Sequence, residues 1–243
     1  PVGYTPVPTT GGGVDYPAPF TAPLGISGTF AFELVRSPEN SLRLEDGLLG
    51  LINRAGAGDV ILVEQLTEQP YWGPTDSDAE TDPNPRLEAY IEAARRGATV
   101  RILLDAYYDD PQNARSNTAT RAYVNAIARA EGLDLEARLG NPTGLGIHNK
   151  MVLVWLHSNP GGDEWYVHVG SINGSETSHK LNRELALQVR SRAAYDYLAQ
   201  VFAYDWGQAT PPVYLPLILR GYVGPARHLL ISEVLYDPSG ADD

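Results

Sequence analysis

The sequence predicts a layered α/β/α domain on a mixed, mostly parallel sheet, and three observations carry that prediction. Short, nearly continuous apolar runs alternate with stretches of helical period. The helical stretches carry start and stop residues at their ends. Strands separated by helices of this length stack as layers around one sheet.

Residues 1–28 (PVGYTPVPTTGGGVDYPAPFTAPLGISG) are rich in Pro, Gly and Thr with almost no charge, the composition of a linker or extended arm. The domain is expected over residues 29–208. TFAFELVRS (29–37) reads as a strand, and residues 41–53 as a helix with Leu42, Leu44, Leu48, Leu49 and Ile52 on its apolar face. DVILVEQ (59–65) is an apolar strand; residues 85–96 form a helix opened by Pro85 and ended by Gly97. ATVRILLDA (98–106) is a buried strand, 119–131 a helix and 133–138 a strand. Two strands then follow closely, 148–156 and 165–172, joined by SNPGGDE, whose Pro-Gly-Gly marks a hairpin loop. ELALQVRS (184–191) is a further strand and 193–206 the last helix. Residues 209–227 are Pro-rich and read as a linker. Residues 228–243 end in LLISEVLYDPSGADD, which resembles the opening strand of a lamin-tail-like domain, here truncated. The start at Pro1, without Met or a signal peptide, reads as a processed or excised piece with more chain before it.

The 243 residues, 43% hydrophobic and 20% charged, suffice for one large core or two small ones. A net charge of −12 with only 18 Lys and Arg argues against non-specific duplex binding, though not against a local basic cleft. With no cysteine there is neither a disulfide framework nor a thiolate metal site. No apolar run approaches the ~20 residues needed to span a bilayer.

Strand parity concentrates the chemistry. Side chains two apart share a face, so His148 and Lys150 point one way and Asn149 and Met151 the other; likewise Ser171 and Asn173 oppose His168 and Ile172. If the two strands pair, one surface carries an imidazole, an ammonium, a hydroxyl and a carboxamide. Attack on a phosphodiester needs a nucleophile of near-neutral pKa, cations or donors for the phosphate oxygens, and a group orienting the nucleophile. His148 is the candidate nucleophile, Lys150 and Asn173 the phosphate binders and Glu184 the orienter. The arrangement calls for no metal and no cofactor.

The spacing His148-x-Lys150, then Gly170-Ser171-x-Asn173, then Glu184 eleven residues on, resembles the phospholipase D superfamily. The run from Phe30 to Trp206 is similar to one complete half-domain of it. The resemblance implies that His148 forms a covalent phosphohistidine, Lys150 and Asn173 bind phosphate, Ser171 assists binding and Glu184 hydrogen-bonds the imidazole. It departs from the family pattern at Trp155, where the family carries an Asp, so that strand is expected to be held differently. A second departure is that the chain has one H-x-K where the family uses two, the second His serving as general acid. The implied partner is a second phospholipase D-like half, from an upstream domain or from another copy across a twofold axis.

The implied activity is a phosphodiesterase. Water as second acceptor gives hydrolysis and an alcohol gives transfer; phospholipid and nucleic acid remain rival substrates. The reading from another class is a catalytically degenerate module kept for binding or assembly. His157, His168, His179 and His228 lie in no second motif and read as structural or solvent-facing, and the acidic stretch DSDAETD (76–82) as a solvated loop. Tyr107, Tyr108, Asp109 and Asp110 follow a buried strand, where such sheets place binding loops, and residues 65–72 could wall a cleft. The absence of Cys and the Thr/Pro-rich linkers suggest secretion or the cell envelope.

Overall fold

A computed structural model describes residues 18–157 and 161–209. The chain divides into two units, 1–212 and 213–243, and every described residue belongs to the first. Most of the arm, the linker from residue 210 and the lamin-tail-like segment lie outside the described residues.

Seven strands form one sheet: β1 (Phe32–Ser37), β2 (Val60–Gln65), β3 (Thr99–Asp105), β4 (Leu135–Gly140), β5 (Lys150–Leu156), β6 (Glu164–Gly170) and β7 (Glu184–Arg190), in the order β1-β7-β6-β5-β2-β3-β4. The helices are α1 (Gly47–Asn53), α2 (Pro85–Arg95), α3 (Asn117–Glu131), α4 (Glu176–Lys180) and α5 (Arg192–Gln208). One face of the sheet (Ile61, Val63, Val100, Ile102, Val152, Val154) buries against α1, α2 and α3. The opposite parity (Leu62, Leu103, Met151, Leu153, Val167) buries against Tyr195, Leu198, Phe202 and Trp206 of α5. Cover on both faces is why β2, β3 and β5 read as continuous apolar runs. The α/β/α layering is as expected.

The expectation of a mostly parallel sheet is corrected. Only β2–β3 and β3–β4 are parallel; β1–β7, β7–β6, β6–β5 and β5–β2 are antiparallel. Parallel neighbours need a long crossover, which α2 and α3 supply. The short connection β5–β6 permits only an antiparallel return.

Local signals explain the helix ends. The Asn84 side chain caps α2 ahead of Pro85, Ser116 caps α3, Gly132 ends it in the left-handed region, and Ser191 caps α5. The helix expected from residue 41 begins only at Gly47: Asp46 is extended, and the Glu33 carboxylate of β1 accepts the Gly47 N–H at 3.0 Å. The strand expected to reach Ile172 stops at Gly170, and α4, a single turn capped by Ser175, was not expected. In the arm, Phe20 packs edge-on against Tyr197 and Tyr204 of α5.

Candidate active site

The registers bring the functional residues to one edge of the sheet. Gln65, Lys150 and Leu104 are neighbours across β5-β2-β3, Asp105 lies beside Gly140, and Gly170 pairs with Ala186 just beyond Glu184. The carboxyl ends of β2, β3, β4 and β6 and the amino ends of β5 and β7 therefore share that edge.

The first segment, residues 146–150, enters β5 from a loop. Buried Asp105 holds it: Oδ1 accepts the Ile147 N–H at 2.6 Å, and Oδ2 accepts the Tyr108 N–H at 2.6 Å. Gly146 sits at φ +88° with the Asp105 carboxylate where a β-carbon would be, 2.4 Å away, so a side chain is excluded. His148 is exposed and precedes the strand, while Lys150 is buried. The Lys150 ammonium lies 3.0 Å from His148 Nδ1 and donates to the His148 carbonyl at 2.8 Å. Burial lowers the Lys150 pKa, and the nearby Glu184 carboxylate partly restores it. Between the two, Asn149 Nδ2 donates to buried Glu64 Oε1 at 2.7 Å. Burial, with Asp205 beside it, pushes the Glu64 carboxyl up to about 8, so this pair retains a proton at neutral pH.

The second segment, residues 171–174, is a turn clamped from below by buried polar groups. Gly174 N–H donates to Thr67 O at 2.8 Å, and its carbonyl accepts from Gln69 N–H at 2.9 Å and from Asn84 Nδ2 at 3.2 Å. Arg86 Nη1 reaches the Ile172 carbonyl at 3.4 Å, and Arg86 Nε pairs with Glu68 at 3.1 Å, both side chains essentially inaccessible to solvent. Asn84 Nδ2 also bonds Glu68 Oε1 at 2.8 Å. Burial pushes the Glu68 carboxyl up and Arg86 opposes that push. A β-carbon on Gly174 would fall 2.0 Å from Glu68 Oε1, so this turn packs directly on the ion pair. Behind it His168 and His179 are buried and neutral, each pushed down to about 3 by burial and the Arg86 charge.

The structure thus brings His148, Lys150 and Glu184 together. Asn173 follows on the same edge with a partly buried carboxamide that makes no hydrogen bond among the described residues. Two expected contacts are not formed. Glu184 accepts from Asn182 at 3.0 Å and makes no hydrogen bond to the imidazole, whose ring is taken by Lys150. Ser171 is exposed, and its hydroxyl accepts the Leu185 N–H at 3.2 Å instead of turning toward Lys150, because β6 has already ended. Trp155 pairs with Val60 and Trp165 and bonds Asp163 at 3.2 Å. It lies five residues along β5 from Lys150, about 17 Å at ~3.3 Å per residue. The substituted family position is therefore remote from the site.

Sequence reasoning missed Asp105, Asn84, Arg86 and Glu68. The signal for Asp105 was present, an acid closing the apolar run ILLDA; the others became legible only once the turn was seen to pack on them. His157 is exposed beside Asp163 at 3.2 Å, and His228 lies outside the described residues. The 76–82 segment is a loop in which Asp78 accepts the Glu80 and Thr81 N–H groups, both at 2.9 Å. Among the described residues no group of three or more His, Asp or Glu is placed to hold a metal ion.

The family model described as cardiolipin synthase, phospholipase D-like domain matches residues 68–206. No curated protein sequence matches the chain. Among solved structures, Nuc of Salmonella typhimurium, titled a phospholipase D family member, superposes with a TM-score of 0.51 at 21% identity, over 76% of this chain and 99% of that one. NucT from Helicobacter pylori gives 0.53 at 16%, over 75% and 99%. The phosphatidylserine synthase of Haemophilus influenzae gives 0.50 at 13%, over 78% of this chain and 41% of that one. These likenesses establish the shared fold, and the family match spans more than half of the sequence together with the single H-x-K and G-S-x-N motifs. The chain belongs to the phospholipase D-like family.

Proposed function

We propose that the protein is a phosphodiesterase in which His148 attacks phosphorus, as one half of a two-motif active site. The observation that carries this reading is the buried Lys150 ammonium 3.0 Å from the exposed His148 ring, with Glu184 close by. In the free protein Lys150 occupies a ring lone pair. A phosphate oxygen arriving at the edge competes for that ammonium and frees the nitrogen. The P–N bond then forms as the P–O bond to the leaving group breaks, with Lys150 and Asn173 donating to the non-bridging oxygens. The leaving oxygen takes a proton from a general acid in the second half. Water attacks the phosphohistidine, the P–N bond breaks, and the water's proton returns to that group.

The second half is another copy or an upstream domain. An apolar strip supports a docked neighbour: Phe32 and Leu34 on β1 and Leu185 and Leu187 on β7 share one sheet face, are exposed, and begin one residue from Glu184. Export to the envelope or medium is proposed on the cysteine-free, Thr/Pro-rich composition. No helix among the described residues is long and apolar enough to cross a membrane. Fractionation of the producing cells tests this, and a purely cytoplasmic pool would overturn it.

The decisive experiment quenches the assembled protein in mid-turnover on a phosphodiester and maps the label. Phosphate on His148, lost in His148→Asn, is the expected result; turnover without any such label would remove the covalent mechanism. Solution mass then separates a homodimer from a domain lying upstream.

A further inference from the structure

Asn149, the residue between His148 and Lys150, turns its side chain toward the other face of the sheet, the one that α5 covers, where Nδ2 donates to Glu64 Oε1 at 2.7 Å. Its backbone is tied to the same strand, the Asn149 carbonyl accepting the Leu66 N–H at 3.1 Å. The Glu64 side chain on β2 is wholly buried, and Asp205, near the end of α5, is buried beside it. The two carboxyl groups stand within hydrogen-bonding distance of each other. Two carboxylates have no hydrogen to share, so that bond requires one proton between them. Glu64 Oε1 is taken by Asn149, and Oε2, which has no other partner among the described residues, is the oxygen that carries it.

The surrounding elements bring no cation to offset a second charge. The sheet face around the pair is apolar, with Leu62, Leu103, Met151 and Leu153. Of the charged groups on that face, Arg101 of β3 pairs with Asp134 at 2.6 Å, and Arg138 of β4 pairs with Glu136 at 2.8 Å and donates to the Trp206 carbonyl at 3.3 Å. Asp105 of β3 accepts the Ile147 and Tyr108 N–H groups. Lys150 of β5 and His168 of β6 have the opposite parity, that of Val152. On α5, Tyr204 packs against Phe20, and Tyr195 lies about 15 Å back along the helix. Burial, with Asp205 beside it, therefore pushes the Glu64 carboxyl up to about 8, and burial raises Asp205 as well. With one proton the pair is a hydrogen bond. Without it two carboxylates repel each other in a dry site, and either Glu64 or α5 must shift or admit water.

We propose that Glu64 is a positioning residue for the His148–Lys150 pair: the proton it shares with Asp205 keeps its carboxyl fixed beside Asn149, and loss of that proton to solvent loosens the segment and lowers turnover on the alkaline side. The route is short. Asn149 is bonded in the chain to both the nucleophile and the ammonium residue, so a shift of its amide moves both. The 3.0 Å contact between the Lys150 ammonium and His148 Nδ1 is the geometry that such a shift disturbs. This inference rests on the phosphodiesterase reading for what His148 and Lys150 do once they are held.

The test follows the full chain with pH in two readouts: kcat on bis(p-nitrophenyl) phosphate, and the NMR resonances of the His148 ring in nitrogen-labelled protein without substrate. Turnover is expected to fall as pH rises through about 8, and the His148 ring to shift over the same range. Glu64→Ala is expected to lower kcat about ten-fold with KM little changed. Glu64→Gln keeps a carbonyl for Asn149 and an NH₂ for Asp205 at every pH, so it is expected to restore most of that loss and to erase both alkaline transitions. Should the alanine variant not fold, the two pH profiles of the glutamine variant decide. An alkaline limb that persists in Glu64→Gln belongs to another group, Lys150 first, and overturns the proposal. So does unchanged kcat in Glu64→Ala. Phosphohistidine mapping reads the other proposal separately: a Glu64-dependent shift of the His148 ring in protein that forms no label removes the covalent mechanism and keeps the positioning role, and label on His148 with ring and kcat indifferent to Glu64 does the reverse.

Discussion

The two segments that form the candidate site are held by different means. Residues 146–150 are tied through separate side chains, with Asp105 accepting the Ile147 N–H, Asn141 Oδ1 accepting the Gly146 N–H at 2.7 Å and Asn149 donating to Glu64, and their imidazole is exposed. Residues 171–174 rest on a buried ion pair and an asparagine clasp, with the Asn173 carboxamide making no hydrogen bond among the described residues. A group that donates to phosphate oxygens gains from a fixed position, because its dipole then needs no reorganisation during reaction. In the proposed mechanism His148 must exchange its contact with Lys150 for one with phosphorus, and its exposed ring allows that. The buried pair is accordingly read as a brace for the turn.

The comparison can be broken from its heaviest side first. Glu68→Ala or Arg86→Ala leaves a buried charge unpaired and is expected to cost about 3–5 kcal/mol of stability, read in urea unfolding. Replacing both, as Glu68→Leu with Arg86→Met, is expected to recover most of that loss while activity stays low, because Ile172 O has lost its donor. Full activity in the double variant would show that the turn needs no brace. On the nucleophile side, Asp105→Ala removes the acceptor for two N–H groups and is expected to cost about 2–3 kcal/mol, with kcat falling more than KM rises.

The next effect is read with pH. His168 and His179 have folded pKa values near 3, below their unfolded value of 6.5, so the stability they contribute is lost as pH falls from 6.5. Glu64 is raised to about 8, so its contribution is lost as pH rises from 4.5 through 8. Between pH 5 and 6 these groups leave the unfolded chain with about one extra proton, and stability is expected to rise by roughly 1.4 kcal/mol per unit. It should peak near 6.5 and decline toward 8. Glu64→Gln is expected to abolish the alkaline decline alone, and an unaltered profile in that variant would detach Glu64 from it.

Smaller changes sharpen the contrast. Asn84→Ser keeps an acceptor that can cap α2 but cannot reach Gly174 O, and is expected to cost about 1 kcal/mol with a disproportionate loss of kcat. Trp155→Asp, which restores the family residue at the far end of β5, is expected to leave activity unchanged within about two-fold and to lower stability through the lost Trp165 packing.

Legibility in the sequence followed how local each cause was. The ends of α2 were readable because their signals are contiguous with the helix they serve: Pro85 at its start and Gly97 beyond it. Strand locations were readable because two-sided burial leaves an unbroken apolar run. The β5–β6 hairpin was readable from its Pro-Gly-Gly loop, whereas the antiparallel pairings of β5 with β2, β6 with β7 and β7 with β1 were not, since they depend on which strands meet across the sheet. The parity argument put His148 and Lys150 side by side, as they are in the structure, and placed Ser171 wrongly, because β6 yields to a turn whose shape is imposed by Glu68 and Asn84, about a hundred residues upstream.

The sequence by itself therefore determined the layered α/β class, most element positions and the identity of the H-x-K and G-S-x-N residues, all of which depend on neighbours within one strand or helix. Only the tertiary structure decided that Lys150, not Glu184, meets the imidazole, and that an ion pair buried under Gly174 supports the turn that carries Asn173. Those outcomes depend on desolvated contacts between segments far apart in the chain, where burial sets both the cost of a charge and the identity of its partner.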